Sequence, residues 1–271
     1  MSKYLLKFGG NALSGEGALD RLCSDIAEML SHGHEVMVVH GGGPEISAEM
    51  ERRGMEPRKV AGLRITDEAT LEVAETVLRR INDSVVEALG RAGVSSIGMP
   101  AYMCSLCRRK DPVKVKDGDE TVEVDLGLVG EVVDADLSSA DDVIRATGGV
   151  PVLYPIGKDA EGRKLNINAD TLASAVAVAW KCDEMVAITD VPGILRDVHD
   201  HDSKIDTITV DEVHALVEQG VISGGMIPKV EACIRALSAG VPKVRMVDGG
   251  DKEHIITEST NGRQKGTVIT R

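Results

Sequence analysis

Two apolar segments near the start of the chain each end in a glycine-rich turn, and a helical pattern follows each turn. Residues 4–8 precede Gly9-Gly10-Asn11, and residues 35–40 precede Gly41-Gly42-Gly43. Buried strands that alternate with helices predict a mainly parallel sheet covered on both sides. In such sheets ligands bind at the carboxyl ends of the strands, so both turns are candidates for one crevice.

Further segments extend this alternation through most of the chain, so the predicted fold class is α/β. Residues 66–90 predict a long helix with one apolar face. In residues 113–124 apolar and polar side chains alternate on both sides of Asp117-Gly118, which predicts a hairpin that forms a polar lid or an edge of the sheet. Other strands are predicted at 94–99, 150–156, 185–189, 244–247 and 267–269, and other helices at 171–180, 210–219 and 226–239.

The composition excludes several classes of protein. The 271 residues include 44 acidic and 31 basic side chains, a net charge of −13, which argues against a broad surface for nucleic acid or anionic membranes. Only 2% of the residues are aromatic, so base stacking is not expected. No apolar run reaches the roughly 20 residues that span a bilayer, and the five cysteines, an odd number, do not indicate a disulfide framework. We expect a soluble cytoplasmic protein whose anionic ligands need a locally basic pocket.

The pentapeptide Asn-Ile-Asn-Ala-Asp at residues 166–170 puts Asp170 where a loop is predicted to become a helix. This carboxylate could be an ordinary helix cap, or it could take part in a site at the positive end of the helix. Two lysines favour the second interpretation. Lys7 lies inside an apolar strand and needs an anionic partner, and Lys229 opens a predicted helix after Gly224-Gly225. The three residues could together neutralise a phosphoryl group during its transfer.

The glycine turns could form anion nests, because glycine lets backbone N–H groups approach a phosphate closely. Tight turns with positive φ explain each turn better than an anion nest does when the turn is taken alone. None of the turns matches the G-x-x-x-x-G-K-[ST] phosphate loop or the G-x-G-x-x-G fingerprint. The sequence therefore supports neither a P-loop enzyme nor a Rossmann dehydrogenase.

Seven motifs, in this order, resemble those of the amino acid kinase family, and they cover nearly the whole chain. The resemblance is to those members that phosphorylate N-acetyl-L-glutamate. The motifs are KFGGN (7–11), HGGG (40–43), GLRITD (62–67), DLGLVGE (125–131), NINAD (166–170), TDVPGIL (189–195) and GVISGGMIPK (220–229).

The resemblance implies a three-layer αβα sandwich with two lobes. The lobe of residues 1–179 would bind the acyl acceptor and form the dimer, and the lobe of residues 180–271 would bind ATP. The implied catalytic residues are Lys7, Lys229 and Asp170, with Asp170 holding both lysines. The implied substrate-binding residues are Gly42, Gly43, Arg64 and Asn166. The implied ATP-binding residues are Gly9, Gly10, Asn11, Thr189, Asp190, Gly193, Leu195, Val221, Ser223 and Gly225.

The expected activity is ATP-dependent phosphorylation of the side-chain carboxylate of N-acetyl-L-glutamate, in arginine biosynthesis. Mg²⁺ would arrive with the nucleotide, and no metal ligand in the protein itself is predicted. The alternatives are another acceptor on the same fold, such as carrier-bound aminoadipate or glutamate, and a non-catalytic sensor. We further expect a homodimer built through the helix region 66–89, without strong arginine feedback, because the first strand begins near Lys3.

Several other features are interpreted as structural. Cys104 and Cys107 have the spacing of a zinc or redox pair, but no second pair lies nearby to complete four ligands. The run DVHDHD at 197–202 is typical of a solvated loop. His40 is expected to be a hydrogen-bonded residue near the substrate, and Trp180 to pack in the core.

Overall fold

Strands and helices alternate along most of the chain. The computed structural model describes residues 1–9, 15, 17–117, 120–197, 199–250, 256 and 265–271. The strands in these residues are β1 (Lys3–Phe8), β2 (Glu35–His40), β3 (Lys59–Val60), β4 (Leu63–Arg64), β5 (Ser96–Pro100), β6 (Ser105–Arg109), β7 (Val113–Asp117), β8 (Glu120–Val124), β9 (Val129–Ala135), β10 (Val150–Tyr154), β11 (Ile156–Lys158), β12 (Lys164–Ile167), β13 (Glu184–Thr189), β14 (Thr207–Thr209), β15 (Lys243–Asp248) and β16 (Thr267–Thr270). The helices are α1 (Ala18–Ser31), α2 (Gly43–Arg52), α3 (Glu68–Arg91), α4 (Ser138–Thr147), α5 (Ala169–Ala179), α6 (Val210–Glu218) and α7 (Met226–Ser238), with short 3₁₀ turns at Ala101–Met103 and His201–Ser203.

An eight-stranded sheet forms the centre of the molecule, in the order β14-β16-β15-β13-β1-β2-β10-β5. Its neighbouring strands are parallel except for β15 and β16, which confirms the mainly parallel sheet predicted from the sequence. The strands from β13 onward come from residues 180–271, and β1, β2, β10 and β5 come from residues 1–179. The pairing of β1 with β13 joins the strands from the two parts of the chain, and the division into two lobes with separate ligands stays a prediction.

The alternation of side chains along β1 separates two hydrophobic cores. Tyr4, Leu6 and Phe8 pack in the core that includes α1 and part of α3, whereas Leu5 packs on the opposite face with α5 and α7. Helices therefore cover both faces of the sheet, and the predicted three-layer αβα sandwich is confirmed. Lys7 shares its face with Leu5, because the two residues are two positions apart, and it is directed toward α5.

A second sheet of four strands, in the order β11-β12-β9-β6, was not predicted from the sequence. The single strand predicted at 150–156 is divided by Pro155, which has no backbone N–H to donate to a ladder. The first part, β10, belongs to the large sheet and the second part, β11, to the small one.

The predicted hairpin at 113–124 is confirmed by the antiparallel pairing of β7 with β8. Its tip, residues 118–119, lies outside the described residues, and its role as a lid stays a prediction. Each described helix is too short or too polar to cross a bilayer. The cytoplasmic location stays a prediction as well.

The carboxyl ends of β1, β2 and β13 lie side by side, because Phe8 is in register with His40 and with Ile188. The turns that follow these strands therefore meet at one edge of the sheet. The Gly9 N–H donates to the Ile188 carbonyl oxygen at 2.9 Å. A Cβ at Gly9 would lie 3.0 Å from the same oxygen, so a larger residue would require the two strands to shift by a few tenths of an ångström. The crevice predicted from the first two glycine turns is present at this edge.

We expect Gly127→Ala to destabilise the fold more than Gly162→Ala. Both glycines have positive φ angles, 73° and 81°, so alanine is strained at either position. A Cβ at Gly127 would also lie 2.3 Å from the Thr66 carbonyl oxygen, whereas nothing lies within 4 Å of one at Gly162. Urea denaturation should show a loss in the free energy of unfolding of about 1 kcal/mol for Gly162→Ala and at least ~2 kcal/mol for Gly127→Ala. Equal losses would contradict the steric account.

Candidate active site

A cleft of about 990 Å³ opens at the carboxyl ends of the central strands. Its walls come from the glycine turn after β2, the β3–β4 hairpin, and the first turns of α5 and α7. These elements are far apart in sequence and meet because β1, β2 and β13 are adjacent in the sheet. The predicted site residues that line the cleft are Lys7, Gly9, Gly42, Gly43, Arg64, Asn166, Asp170, Asp190, Gly225 and Lys229.

The closest ion pair in the cleft joins β1 to α5. Lys7 Nζ lies 2.6 Å from Asp170 Oδ1, and Lys7 is only 3% exposed. The helix cap is not Asp170 but Asn168, whose Oδ1 accepts the N–H groups of Asp170 and Thr171 at 2.9 and 3.0 Å. Because Asn168 already caps the helix, the Asp170 carboxylate can pair with the buried ammonium group, which would be costly to leave unpaired.

Lys229 pairs with Asp190 and not with Asp170, which corrects the expectation that Asp170 holds both lysines. Lys229 Nζ lies 3.2 Å from Asp190 Oδ1, and both side chains are partly exposed. Asp190 follows β13 directly and reaches the first turn of α7 across the cleft. An ion pair that is open to water contributes little to stability, so Lys229 can exchange Asp190 for an anionic ligand at small cost.

Arg64 is buried in the cleft, and its hydrogen bonds within the described residues are all to neutral groups. Its Nη2 donates to the Gly43 carbonyl oxygen at 2.9 Å and to Ser47 Oγ at 2.8 Å, and its Nη1 lies 3.1 Å from Met50 Sδ. None of the ion pairs found among the described residues includes Arg64. Burial lowers the pKa of its guanidinium group from the usual value. A buried cation held by neutral acceptors is suited to bind a carboxylate.

Asn166, in β12, is oriented by Thr66, which lies between β4 and α3. Its Nδ2 donates to Thr66 Oγ1 at 3.2 Å, and the Thr66 hydroxyl donates to the Arg64 carbonyl oxygen at 2.8 Å. The amide and the guanidinium therefore share a neighbour, which brings two predicted substrate residues to the same part of the cleft.

The residues predicted to border the nucleotide are only partly brought into this cleft. Thr189 is buried, and its hydroxyl lies 3.0 Å from the Val191 carbonyl oxygen and 3.3 Å from that of Val247. Gly193 has a φ of 143°, and a Cβ there would lie 2.4 Å from Thr267 Oγ1. These residues shape the segment after β13. Leu195, Val221 and Ser223 are likewise outside the lining of the cleft, and Gly10 and Asn11 lie outside the described residues.

Sequence reasoning missed three residues of the cleft region. Ser47 contacts Arg64 and lies one helical turn after Gly43, so helical spacing could have indicated it. Asn168 has the position of a helix cap in the NINAD motif. Lys59 lines the cleft, and burial together with the charge of Arg64 lowers its pKa; no pattern in the sequence distinguishes it from other lysines.

His40 and the cysteines occupy the structural roles expected for them. His40 is fully buried, and its Nδ1 lies 2.9 Å from the Gly41 carbonyl oxygen. Cys104 and Cys107 are buried and free, and burial raises the pKa of Cys104 to about 11 and raises that of Cys107. No group of three or more metal-ligating side chains is found among the described residues.

The fold and the cleft, with lysines and glycine turns at the ends of parallel strands, define a phosphotransferase class of protein, and comparison with known proteins identifies the family. The sequence profile of the Amino acid kinase family matches residues 2–248, and the chain belongs to this family.

Several curated relatives carry the name acetylglutamate kinase, and two of them show the extent of the similarity. That of Methanothermobacter thermautotrophicus is 39% identical over 273 residues, which cover 99% of this chain and 93% of the relative. That of Methanosphaera stadtmanae is 39% identical over 271 residues, which cover 98% and 91%. The crystal structure of smu.665 from Streptococcus mutans UA159 is 28% identical, has a TM-score of 0.79 and matches over 99% of this chain and 98% of its own.

We expect the free energy of unfolding to fall as the pH falls from 6.5 to 4, in part through His40. Burial lowers the pKa of its imidazole from 6.5 to about 4, although its hydrogen bond to Gly41 opposes the shift. Between these values the unfolded chain binds more protons than the folded chain, so stability rises with pH and the contribution is fully present above 6.5.

Urea unfolding at intervals across this pH range measures the effect. His40→Asn should show a shallower dependence on pH than the wild type, because it removes the titrating group. His214→Asn, which changes an exposed histidine of α6, should keep the wild-type dependence. A wild-type slope in His40→Asn would show that this imidazole does not titrate as stated.

Proposed function

We propose that the protein is an acetylglutamate kinase, which uses ATP to phosphorylate the side-chain carboxylate of N-acetyl-L-glutamate in arginine biosynthesis. The product is N-acetyl-L-glutamyl 5-phosphate. The observation that carries the proposal is the cleft, where a buried Arg64 without a described anionic partner shares one crevice with two lysine–aspartate pairs. The curated acetylglutamate kinases, matched over nearly their full length, support the same acceptor. They do not favour carrier-bound aminoadipate or glutamate.

At the acceptor end, we place the α-carboxylate of N-acetyl-L-glutamate against Arg64. The guanidinium is already oriented by Gly43 and Ser47, so little side-chain entropy is lost on binding. Gly42, Gly43 and Asn166 line the same part of the cleft and supply polar groups to the rest of the acceptor. The side-chain carboxylate then extends toward Lys7.

The reacting carboxylate needs no general base, because its reference pKa is near 4.3 and it is ionised at neutral pH. One of its oxygens forms a bond to the γ-phosphorus of ATP as the bond from that phosphorus to the bridging oxygen breaks, and ADP leaves. Two anions must approach each other, so positioning and charge neutralisation supply the rate. In this proposal Lys7 and Lys229 stabilise the phosphoryl group in transit, and Asp170 and Asp190 hold their ammonium groups before ATP binds.

We propose that ATP lies against the lobe of residues 180–271, at the segments after β13 and before α7. Gly9, Gly10 and Asn11 would contribute from the turn after β1. The proposed nucleotide residues of this lobe are Thr189, Asp190, Gly193, Leu195, Val221, Ser223 and Gly225.

Mg²⁺ fits this site as an ion carried by the phosphates. Three carboxylates of the described residues line the cleft: Asp170 and Asp190 are each paired with a lysine, and Glu231 Oε2 lies 3.9 Å from Arg235 Nη1. The oxygen donors for Mg²⁺ would therefore come mainly from ATP and water. When bound there, the ion supplies positive charge to the phosphate oxygens.

We also propose a homodimer built through the region of α3. The strand β5 is an edge of the large sheet, packs beside α3 and exposes Ile97 at 43%. Light scattering should give two chains per particle, and Ile97→Lys should shift the population toward single chains. A monomeric or hexameric wild type would contradict the proposal.

A coupled ADP-release assay tests the function. The wild type should turn over N-acetyl-L-glutamate, with little turnover of carbamate, aspartate or isopentenyl phosphate. Lys7→Ala and Lys229→Ala should each lower kcat by about 100-fold or more, because the lost charge acts on the transferring phosphoryl group. Arg64→Lys should instead raise the KM for the acceptor by about 10-fold, because lysine cannot form the bidentate pair.

Two matched controls separate these effects from general effects of the substitutions. Lys114→Ala removes a surface charge, and Arg52→Lys exchanges a surface arginine for lysine. Lys114→Ala and Arg52→Lys change side chains that are 72% and 70% exposed, and both should keep wild-type kinetics. An unchanged kcat in Lys7→Ala or Lys229→Ala would remove that lysine from the mechanism. Preference for another acceptor would overturn the assignment.

A further inference from the structure

A buried hydrogen-bonded chain lies beneath the glycine turn of the cleft and connects it to α3. His40 is the last residue of β2, and Asn82 lies on the buried face of α3. His40 Nδ1 lies 2.9 Å from the Gly41 carbonyl oxygen, and His40 Nε2 lies 3.0 Å from Asn82 Nδ2. His40 is 0% exposed and Asn82 is 2% exposed, so water does not compete for these contacts.

The hydrogen bonds of Asn82 fix which imidazole nitrogen of His40 carries the proton. Asn82 Nδ2 also lies 2.9 Å from the Val152 carbonyl oxygen, which can only accept. The amide nitrogen therefore donates one N–H to Val152 and the other to His40 Nε2, which must be unprotonated. The proton of the neutral ring is then on Nδ1, and Nδ1–H donates to the Gly41 carbonyl oxygen.

The strand β5 leaves space for the side chain of Asn82. A Cβ at Gly98 of β5 would lie 1.9 Å from Asn82 Oδ1, so any other residue at position 98 would displace the asparagine side chain. The orientation of Asn82 thus depends on a glycine that is neither in the cleft nor in a turn.

We propose that Asn82 and His40 are positioning residues that orient the Gly41–Gly42 peptide toward the acceptor, an inference that rests on the proposed function. The Gly41 N–H donates to the Phe8 carbonyl oxygen at 3.0 Å, and the Gly41 carbonyl accepts from His40. Both polar groups of Gly41 are therefore held. No described peptide bond is cis, so the Gly42 N–H points opposite to the Gly41 carbonyl and away from the imidazole.

The same helix restricts Gly42 from a second direction. A Cβ at Gly42 would lie 2.7 Å from Ile81 Cδ1 and 3.1 Å from Leu78 Cδ2. Leu78, Ile81 and Asn82 are spaced three and four residues apart, so they share one face of α3. This face holds the turn in place, and a shift of the turn by about 1 Å would misplace the acceptor enough to slow the reaction by about 100-fold.

Kinetics of His40→Leu and His40→Asn test the proposal. The leucine has no N–H, whereas the asparagine amide can place an N–H near the position of Nδ1. We expect His40→Leu to lower kcat/KM for N-acetyl-L-glutamate by about 10- to 100-fold with the KM for ATP within about twofold of wild type. His40→Asn should recover most of the loss. Equal impairment of the two variants, wild-type kinetics in folded His40→Leu, or an equal rise in the KM for ATP would overturn the proposal.

A control and a second variant keep the test decisive. Trp180→Phe removes a part-buried hydrogen bond, from Nε1 to Asp141 Oδ1 at 3.0 Å, away from the cleft, and should leave the kinetics unchanged. A loss in Trp180→Phe equal to that in His40→Leu would overturn the proposal. If His40→Leu does not fold, Asn82→Leu provides the comparison, because it keeps the ring and removes the donor to Nε2. Asn82→Leu should lower kcat/KM for N-acetyl-L-glutamate, but by less than the loss expected for His40→Leu. Wild-type kinetics in Asn82→Leu would count against the proposal.

Nitrogen-15 NMR without substrates separates this inference from the proposed function. At pH 7 the wild-type His40 ring should be in the Nδ1–H tautomer, and Asn82→Leu should shift the amide signals of Gly41, Gly42 and Gly43. An Nε2–H ring in the wild type, or unchanged glycine signals, would refute the positioning role. Absence of turnover with N-acetyl-L-glutamate in the wild type would instead refute the proposed function.

Discussion

The buried pair of Lys7 and Asp170 is the interaction on which the cleft depends. An ammonium group inside a strand of the central sheet is tolerated only if an anion is fixed beside it, and removing one partner of a buried pair costs about 3–5 kcal/mol. Asp170, in the first turn of α5, supplies this anion. Its Oδ1 lies 2.6 Å from Lys7 Nζ, so the pair connects α5 to β1. The pair therefore fixes the position of the first turn of α5 relative to β1, and this turn forms one wall of the cleft.

The order of strands explains why residues distant in sequence meet at this point. β1 lies between β2 and β13, and its last residue is in register with the last part of both neighbours. The segments that follow β1, β2 and β13 therefore begin at the same edge of the sheet. Side chains of α5 and α7 approach them from the face of the sheet that Lys7 shares with Leu5. A strand inserted between β1 and β2 would separate the glycine turn after β2 from Lys7.

Much of this could be predicted from the sequence, because it follows from local patterns. The apolar runs and glycine turns indicated the parallel sheet, and the position of Lys7 in an apolar strand indicated a buried charge. The partner of Lys229 could not be predicted, because 39 residues separate it from Asp190 and only the tertiary structure decides which carboxylate is nearer. The small sheet was missed for a similar reason. Its strands are short, and two of its ladders join β6 to β9 and β9 to β12 across long intervals of sequence.

The charge of the whole chain gives the cleft a further property. A net charge of −13 repels anionic ligands, yet at physiological salt such repulsion is screened beyond about 8 Å. Attraction by Arg64 and the lysines therefore acts only once the ligand has entered the cleft. Lys7 and Lys229 are already paired with carboxylates, so before ATP binds Arg64 is the more strongly attracting group for an anion. In the function proposed above, Arg64 attracts the acceptor carboxylate and the two lysines attract the phosphates of ATP, so the two ligands are attracted by different charges.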